Sequence, residues 1–94
     1  MPLIYILEDD NSVRELESYA LQGNGYEVRG FDNPKSFYEE LRKEKPDLIV
    51  IDVMLPGEDG ISITKKLRAS SDYKHVPIAV SYTHLRAHET RHDL

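Results

Sequence analysis

The stretch Leu48-Ile49-Val50-Ile51-Asp52 decides how this chain is read. Four apolar residues, three of them β-branched, run without alternation into an acid. Such a run reads as a strand buried on both faces, the kind found in a parallel sheet covered by helices. It is expected to be the most buried strand of the sheet. In open α/β sheets ligands bind just beyond the carboxyl ends of the strands, which is where Asp52 stands. The segment Met54-Leu55-Pro56-Gly57-Glu58-Asp59-Gly60 follows, too rich in Pro and Gly to continue a strand. Asp52 is thus a carboxylate carried to a sheet edge and held there.

Upstream, Leu3-Ile4-Tyr5-Ile6-Leu7 repeats the design and ends at Glu8-Asp9-Asp10. Asp10 or Asn11 can N-cap a helix, because a short side chain there accepts from a free backbone N–H. Val13, Leu16, Ala20 and Leu21 keep helical spacing to about residue 22 and predict its apolar face. Gly23-Asn24-Gly25 stops it with residues that tolerate positive φ. Tyr26-Glu27-Val28-Arg29-Gly30-Phe31 alternates, as an edge strand with one wetter face does. Asn33-Pro34 reads as an N-cap followed by Pro at the first helical position. Phe37 and Leu41 mark that helix, and Pro46 closes it. Ile63 and Leu67, with Ile61 near the start, mark a third helix whose stripe is thinned by Thr64. Ser70-Ser71-Asp72-Tyr73 is loop, and Val76-Pro77-Ile78-Ala79-Val80 opens a fourth strand. The order β-α-β-α-β-α-β predicts a parallel sheet with right-handed crossovers.

Composition narrows the function. Ninety-four residues make one small domain, with 31% charged and 39% apolar residues, an ordinary soluble profile. A formal charge of −5 argues against non-specific nucleic-acid binding. The absence of cysteine excludes disulfides and thiolate metal sites. No apolar run approaches the roughly 18 residues of a membrane span, and the opening Met1-Pro2-Leu3-Ile4 leaves no room for a signal peptide. The expected location is the cytoplasm.

Two neighbouring strand ends that both carry acid would bring Glu8, Asp9 and Asp52 to one site. Carboxylates so close repel, and a hard divalent cation relieves the repulsion. All-oxygen ligation with retained water suits Mg²⁺. A metal-neutralised carboxylate with a free oxygen can attack a phosphoryl group and form an acyl phosphate. Acids near helix starts are also favoured by the macrodipole alone; the second strand ending in Asp52 is what lifts the site above that reading.

At these residues the chain resembles the receiver domain of bacterial two-component response regulators. The resemblance rests on Ile6-Leu7-Glu8-Asp9-Asp10, on Leu48-Ile49-Val50-Ile51-Asp52-Val53-Met54-Leu55-Pro56-Gly57, on Asp59-Gly60 and on Val76-Pro77-Ile78. It implies a flavodoxin-like (CheY-like), doubly wound α/β fold, truncated after the fourth strand. It further implies that Asp52 is the phosphoacceptor and that Mg²⁺ is held by Asp9 directly, Glu8 through water, Asp52, and the Met54 backbone carbonyl. Asp10 extends the acidic patch without a firm role. The implied phosphodonor is a sensor histidine kinase or a small acyl phosphate. The run after the acceptor is most like regulators whose second domain is a winged-helix DNA binder. DNA is thus a partner only through that missing output domain, and the parent would dimerise on phosphorylation through surfaces this fragment lacks. The reading is of a signalling protein rather than an enzyme. Its rivals are a non-phosphorylated binding module and an aspartyl-nucleophile phosphohydrolase, whose general acid would fall at Met54.

The resemblance covers residues 1–79 and then breaks. The hydroxyl that senses the phosphoryl group should stand at position 82, which is Tyr82, with Ser81 one residue early and Thr83 one late. The Lys that would pair with the phosphoryl oxygens is missing, as are the later helices and strand. Loss of those elements predicts an exposed apolar sheet edge and poor solubility. The tail from Val80 to Leu94 resembles the translation of a sequencing-library adapter, so residues 80–94 are read as non-native. His84, His88 and His92 recur every four residues and could stack on a helix as a Zn²⁺ site, but unrelated DNA read in frame produces such spacing equally well.

Overall fold

The structure, a computed structural model, describes residues 1–55 and 57–81. The two apolar runs that end in acid lie side by side. Strand β1 (Leu3–Leu7) pairs in parallel with β3 (Leu48–Asp52), Tyr5 opposite Ile49 and Leu7 opposite Ile51. Strand β2 (Glu27–Phe31) flanks β1 and β4 (Ile78–Ser81) flanks β3, giving the order β2-β1-β3-β4. Val76 and Pro77 precede β4. Proline has no N–H for the ladder, and the Val76 amide instead donates to the Tyr73 carbonyl in a turn.

Right-handed crossovers that run first one way and then the other from β1 put the helices on opposite faces. Helix α1 (Asn11–Gln22) lies over β1 and β2. Helix α2 (Pro34–Lys43) packs on β1 and β2, and α3 (Gly60–Ala69) on β3 and β4. The main core joins Leu3, Tyr5, Leu7, Ile49 and Ile51 of the sheet to Phe37, Leu41, Ile63 and Leu67 of those two helices. Tyr5, Phe31 and Phe37 meet edge to face, with centroids 5.1 to 6.3 Å apart. The Tyr5 hydroxyl donates to the Glu44 carbonyl at 2.6 Å, tying the sheet to the end of α2. On the other face Ile4 and Ile6 are buried outside that cluster.

Local signals explain the helix starts. Asp10 is the N-cap of α1, its carboxylate accepting from the Val13 amide at 3.0 Å. Asn33 caps α2 with Pro34 in the first turn, and Asp59 caps α3. Thr64, which thins the apolar stripe, turns its hydroxyl back onto the Gly60 carbonyl at 2.8 Å. After α1, only Gly25 of the Gly-Asn-Gly stop has positive φ; Gly23 remains right-handed.

Two expectations need correction. The most completely buried strand is β1, not β3, because every residue of β1 is buried whereas Leu48 and Val50 are only half-buried. Helix α1 covers β1 and β2, so the face carrying Leu48 and Val50 is less enclosed. The inward side of α1 also differs. Leu16 is 70% exposed and Ala20 is exposed, while Val13, Arg14, Glu17, Ser18 and Leu21 are half-buried. Two polar, ionisable side chains thus sit in the stripe that faces the sheet, where an apolar periodicity cannot register them.

Candidate functional site

In an extended strand successive side chains point to opposite faces. Glu8 and Asp9 nonetheless share one site, because β1 stops at Leu7 and the chain bends at Asp9. Asp52 closes the adjacent strand. The carboxylates of Glu8, Asp9 and Asp52 each offer an oxygen, and all three lie within 4.8 Å of one another. Glu8 and Asp52 are each 1% exposed. Expensive burial of two acids in a small domain marks a built site.

Backbone amides orient the acids. The Asp10 amide donates to Glu8 Oε2 at 3.0 Å, and the Met54 amide donates to Asp52 Oδ1 at 3.2 Å. It is therefore the amide of Met54, on a residue 49% exposed, that touches the Asp52 carboxylate in this structure. Asp9 Oδ1 is buried without a hydrogen-bond partner among the described residues. A buried carboxylate oxygen left so is what a cation ligand looks like before the cation arrives, and the all-carboxylate donor set fits Mg²⁺.

The sequence reading missed three contributors. Gly60 begins α3 directly against the end of β3: a Cβ there would run into the Asp52 carbonyl oxygen and stand 2.8 Å from Ile51 Cγ2. Its amide donates to the Val53 carbonyl at 3.2 Å, and the Val53 amide to Ser81 at 2.8 Å, so the strand end is held from both sides. Arg14 Nη1 donates to the Glu8 carbonyl at 2.8 Å. Glu17, on the inward side of α1, has its carboxyl pushed above the ordinary carboxylate range, chiefly by burial and then by the charge of Asp52. The clue to Glu17 was its place midway between Val13 and Leu21 at four-residue spacing. Tyr82, Thr83 and the three tail histidines lie outside the described residues, whereas His75 is exposed in a turn.

The family model of the response regulator receiver domain matches residues 4–93. The chain belongs to the response regulator receiver domain family. Similar to this receiver domain are the transcriptional regulatory protein CseB of Streptomyces coelicolor, 37% identical over 68 residues, and the alkaline phosphatase synthesis transcriptional regulatory protein PhoP of Bacillus subtilis, 42% identical over 65 residues. These alignments take in 72% and 69% of the chain but only 29% and 27% of those relatives. Among solved structures, a putative response regulator from Chloroflexus aurantiacus superposes with TM-score 0.81 at 34% identity, over 84% of this chain and 65% of that one. The chemotaxis response regulator CheY4 of Vibrio cholerae superposes with TM-score 0.80 at 31% identity, over 85% and 67%. The receiver domain therefore has the parallel sheet its strand runs predict and the doubly wound fold its resemblance implies, described as far as the fourth strand. Its family is one of phosphorelay signalling proteins, and neither rival reading is favoured by any of these likenesses.

Proposed function

We propose that this receiver domain accepts a phosphoryl group on Asp52 from a sensor histidine kinase, with Mg²⁺ held by Glu8, Asp9, Asp52 and the Met54 carbonyl. The observation that carries the reading is the convergence of three carboxylates within 4.8 Å at the ends of two adjacent parallel strands. A carboxylate oxygen of Asp52 attacks phosphorus as the bond to the donor's imidazole nitrogen breaks. That nitrogen leaves with the bonding pair, and the product is an acyl phosphate. The Met54 amide keeps the Asp52 carboxylate aimed during attack. When bound, Mg²⁺ supplies charge neutralisation for the acids and for the incoming phosphoryl oxygens. Glu8 and Asp9 hold that charge beside the acceptor and so lower the repulsion between a dianionic donor and a nucleophilic carboxylate.

The same reading makes the chain a signalling module with no turnover of its own, located in the cytoplasm. Among the described residues no helix is long and apolar enough to cross a membrane. By likeness to the transcriptional relatives, DNA would be reached only through an output domain of a longer parent that dimerises on phosphorylation. The domain division belongs to this proposal: residues 1–79 carry the receiver and residues 80–94 are a non-native tail. Sequencing the genomic locus without library adapters tests that division; a frame that leaves this tail after Ala79 supports it, and the same tail read from genomic DNA rejects it.

Acceptor chemistry is tested by intact mass after incubation with Mg²⁺ and a small acyl phosphate. The wild-type chain gains one phosphoryl mass, and Asp52→Asn gains none. An equal adduct in the variant would reject Asp52.

A further inference from the structure

We infer that Arg14 is a positioning residue for the acidic site, gripping the peptide between Glu8 and Asp9 from a seat formed by Gly30. Glu8 and Asp9 can face one site only because the chain bends as it leaves β1, and such a bend must be held. Hydrogen bonds on both backbone groups of Glu8 hold it. The Glu8 amide donates to the Phe31 carbonyl at 2.9 Å, and the Glu8 carbonyl accepts from Arg14 Nη1 at 2.8 Å. The other arm of the guanidinium donates to Asn11 Oδ1 at the first residue of α1. One planar fork thus joins the end of β1 to the start of α1 with a fixed spread between its two arms, which a compact ammonium on a flexible stem does not supply.

The seat is specific. Arg14 crosses from α1 over the edge of β2, and its stem lies on the bare backbone of Gly30. A Cβ at Gly30 would stand 2.9 Å from Arg14 Cδ and 3.2 Å from Cγ. Gly30 is exposed and pairs with Ile6, two residues before Glu8. A half-buried arginine over an edge glycine reads from sequence as two unrelated surface residues; only the fold brings them together.

Charge and position make different predictions. A guanidinium acting as a bare charge would repel a divalent cation, and lysine would replace it without effect. A guanidinium acting by position is not replaced by lysine, and displacing it while keeping its charge weakens the site. This inference rests on the divalent-cation reading of Glu8, Asp9 and Asp52, and the experiment separates the two. Mn²⁺ alone, titrated into the full chain and followed by its free-ion paramagnetic resonance, gives affinity without any phosphodonor. Thermal unfolding of the same samples by circular dichroism reports whether each variant is folded.

Arg14→Lys should weaken Mn²⁺ binding about tenfold, the lower range for lost outer-shell partners, with Tm kept within a few degrees. Gly30→Ala, which keeps the arginine and its charge, should weaken binding in the same direction and serves as the second variant if Arg14→Lys does not fold. Wild-type affinity in a folded Arg14→Lys, or in Gly30→Ala where that substitutes for it, overturns the role of Arg14. No Mn²⁺ binding by the wild type, or binding untouched by Asp9→Asn, overturns the cation reading itself and this inference with it.

Discussion

Helix α3 begins so near the end of β3 that Gly60 has no room for a methyl group, because the Asp52 carbonyl and Ile51 Cγ2 occupy it. Gly60→Ala must push α3 away from the acceptor strand. Overpacking of this kind costs about 1–3 kcal/mol, so the urea midpoint should fall, and phosphoryl uptake should slow because the acceptor's backbone moves. An unchanged midpoint and rate would show that the two elements yield freely. Glu17 feels the site through charge. Its carboxyl lies above the ordinary value of 4.5, mainly from burial and then from Asp52. The folded state therefore holds that proton more tightly than the unfolded chain. The stability it confers is full below the unfolded pKa and is lost as pH rises through the folded one. Above it, ionising Glu17 costs stability. In metal-free buffer Glu17→Gln should raise Tm at neutral pH, with the gain shrinking below about pH 4. A gain equal at both pH values would assign the effect to packing instead.

At the scale of elements, caps and ion pairs set how each helix meets the sheet. Asp10 both caps α1 and lends its amide to Glu8, so the helix start and the acidic site are one piece of chain. Asp10→Ala should cost about 1 kcal/mol in denaturant unfolding, the usual worth of an N-cap, and Asp10→Asn far less. An equal loss in both would place the effect in the carboxylate's charge. On the opposite face Arg29 bridges Glu27 and Glu44 at 3.0 and 2.8 Å, joining the edge strand to the last turn of α2. Most of these elements could be read from residues alone. Apolar runs marked β1 and β3, Asn33-Pro34 marked the start of α2, and Phe37 with Leu41 marked its inner face. Strand ends carrying acid marked Glu8, Asp9 and Asp52. The inward side of α1 was legible only in part: Val13 and Leu21 turn inward as their spacing predicts, but Arg14 and Glu17 join them while Leu16 faces out. The packing roles of Gly30 and of Gly60, the latter legible only as part of a motif, were out of reach. Their roles arise from close approach between elements distant in sequence, which no local pattern encodes.

At the scale of the molecule, the folded chain is what assembles the acidic cluster proposed to hold Mg²⁺, since Glu8 and Asp52 come together only through the pairing of β1 with β3. A ligand that binds the folded state alone stabilises it, by about 2.7 kcal/mol at a hundred times its Kd. Mg²⁺ should therefore raise Tm in a concentration-dependent way, and its removal with a chelator should reverse the rise. Asp9→Asn should abolish the response; a rise that persists would place the cation elsewhere. The chain spans 29% and 27% of its matched transcriptional relatives. What the described residues carry is the acidic cluster of Glu8, Asp9 and Asp52, with Asp52 the proposed acceptor. The most direct test treats the chain with Mg²⁺ and a small acyl phosphate, then reduces the product with borohydride, which converts a phosphorylated aspartate to homoserine, and maps the peptides by mass spectrometry. The account predicts homoserine at position 52. Conversion at Asp9 or at another aspartate instead, or at none in a folded, Mg²⁺-bound sample, would contradict it.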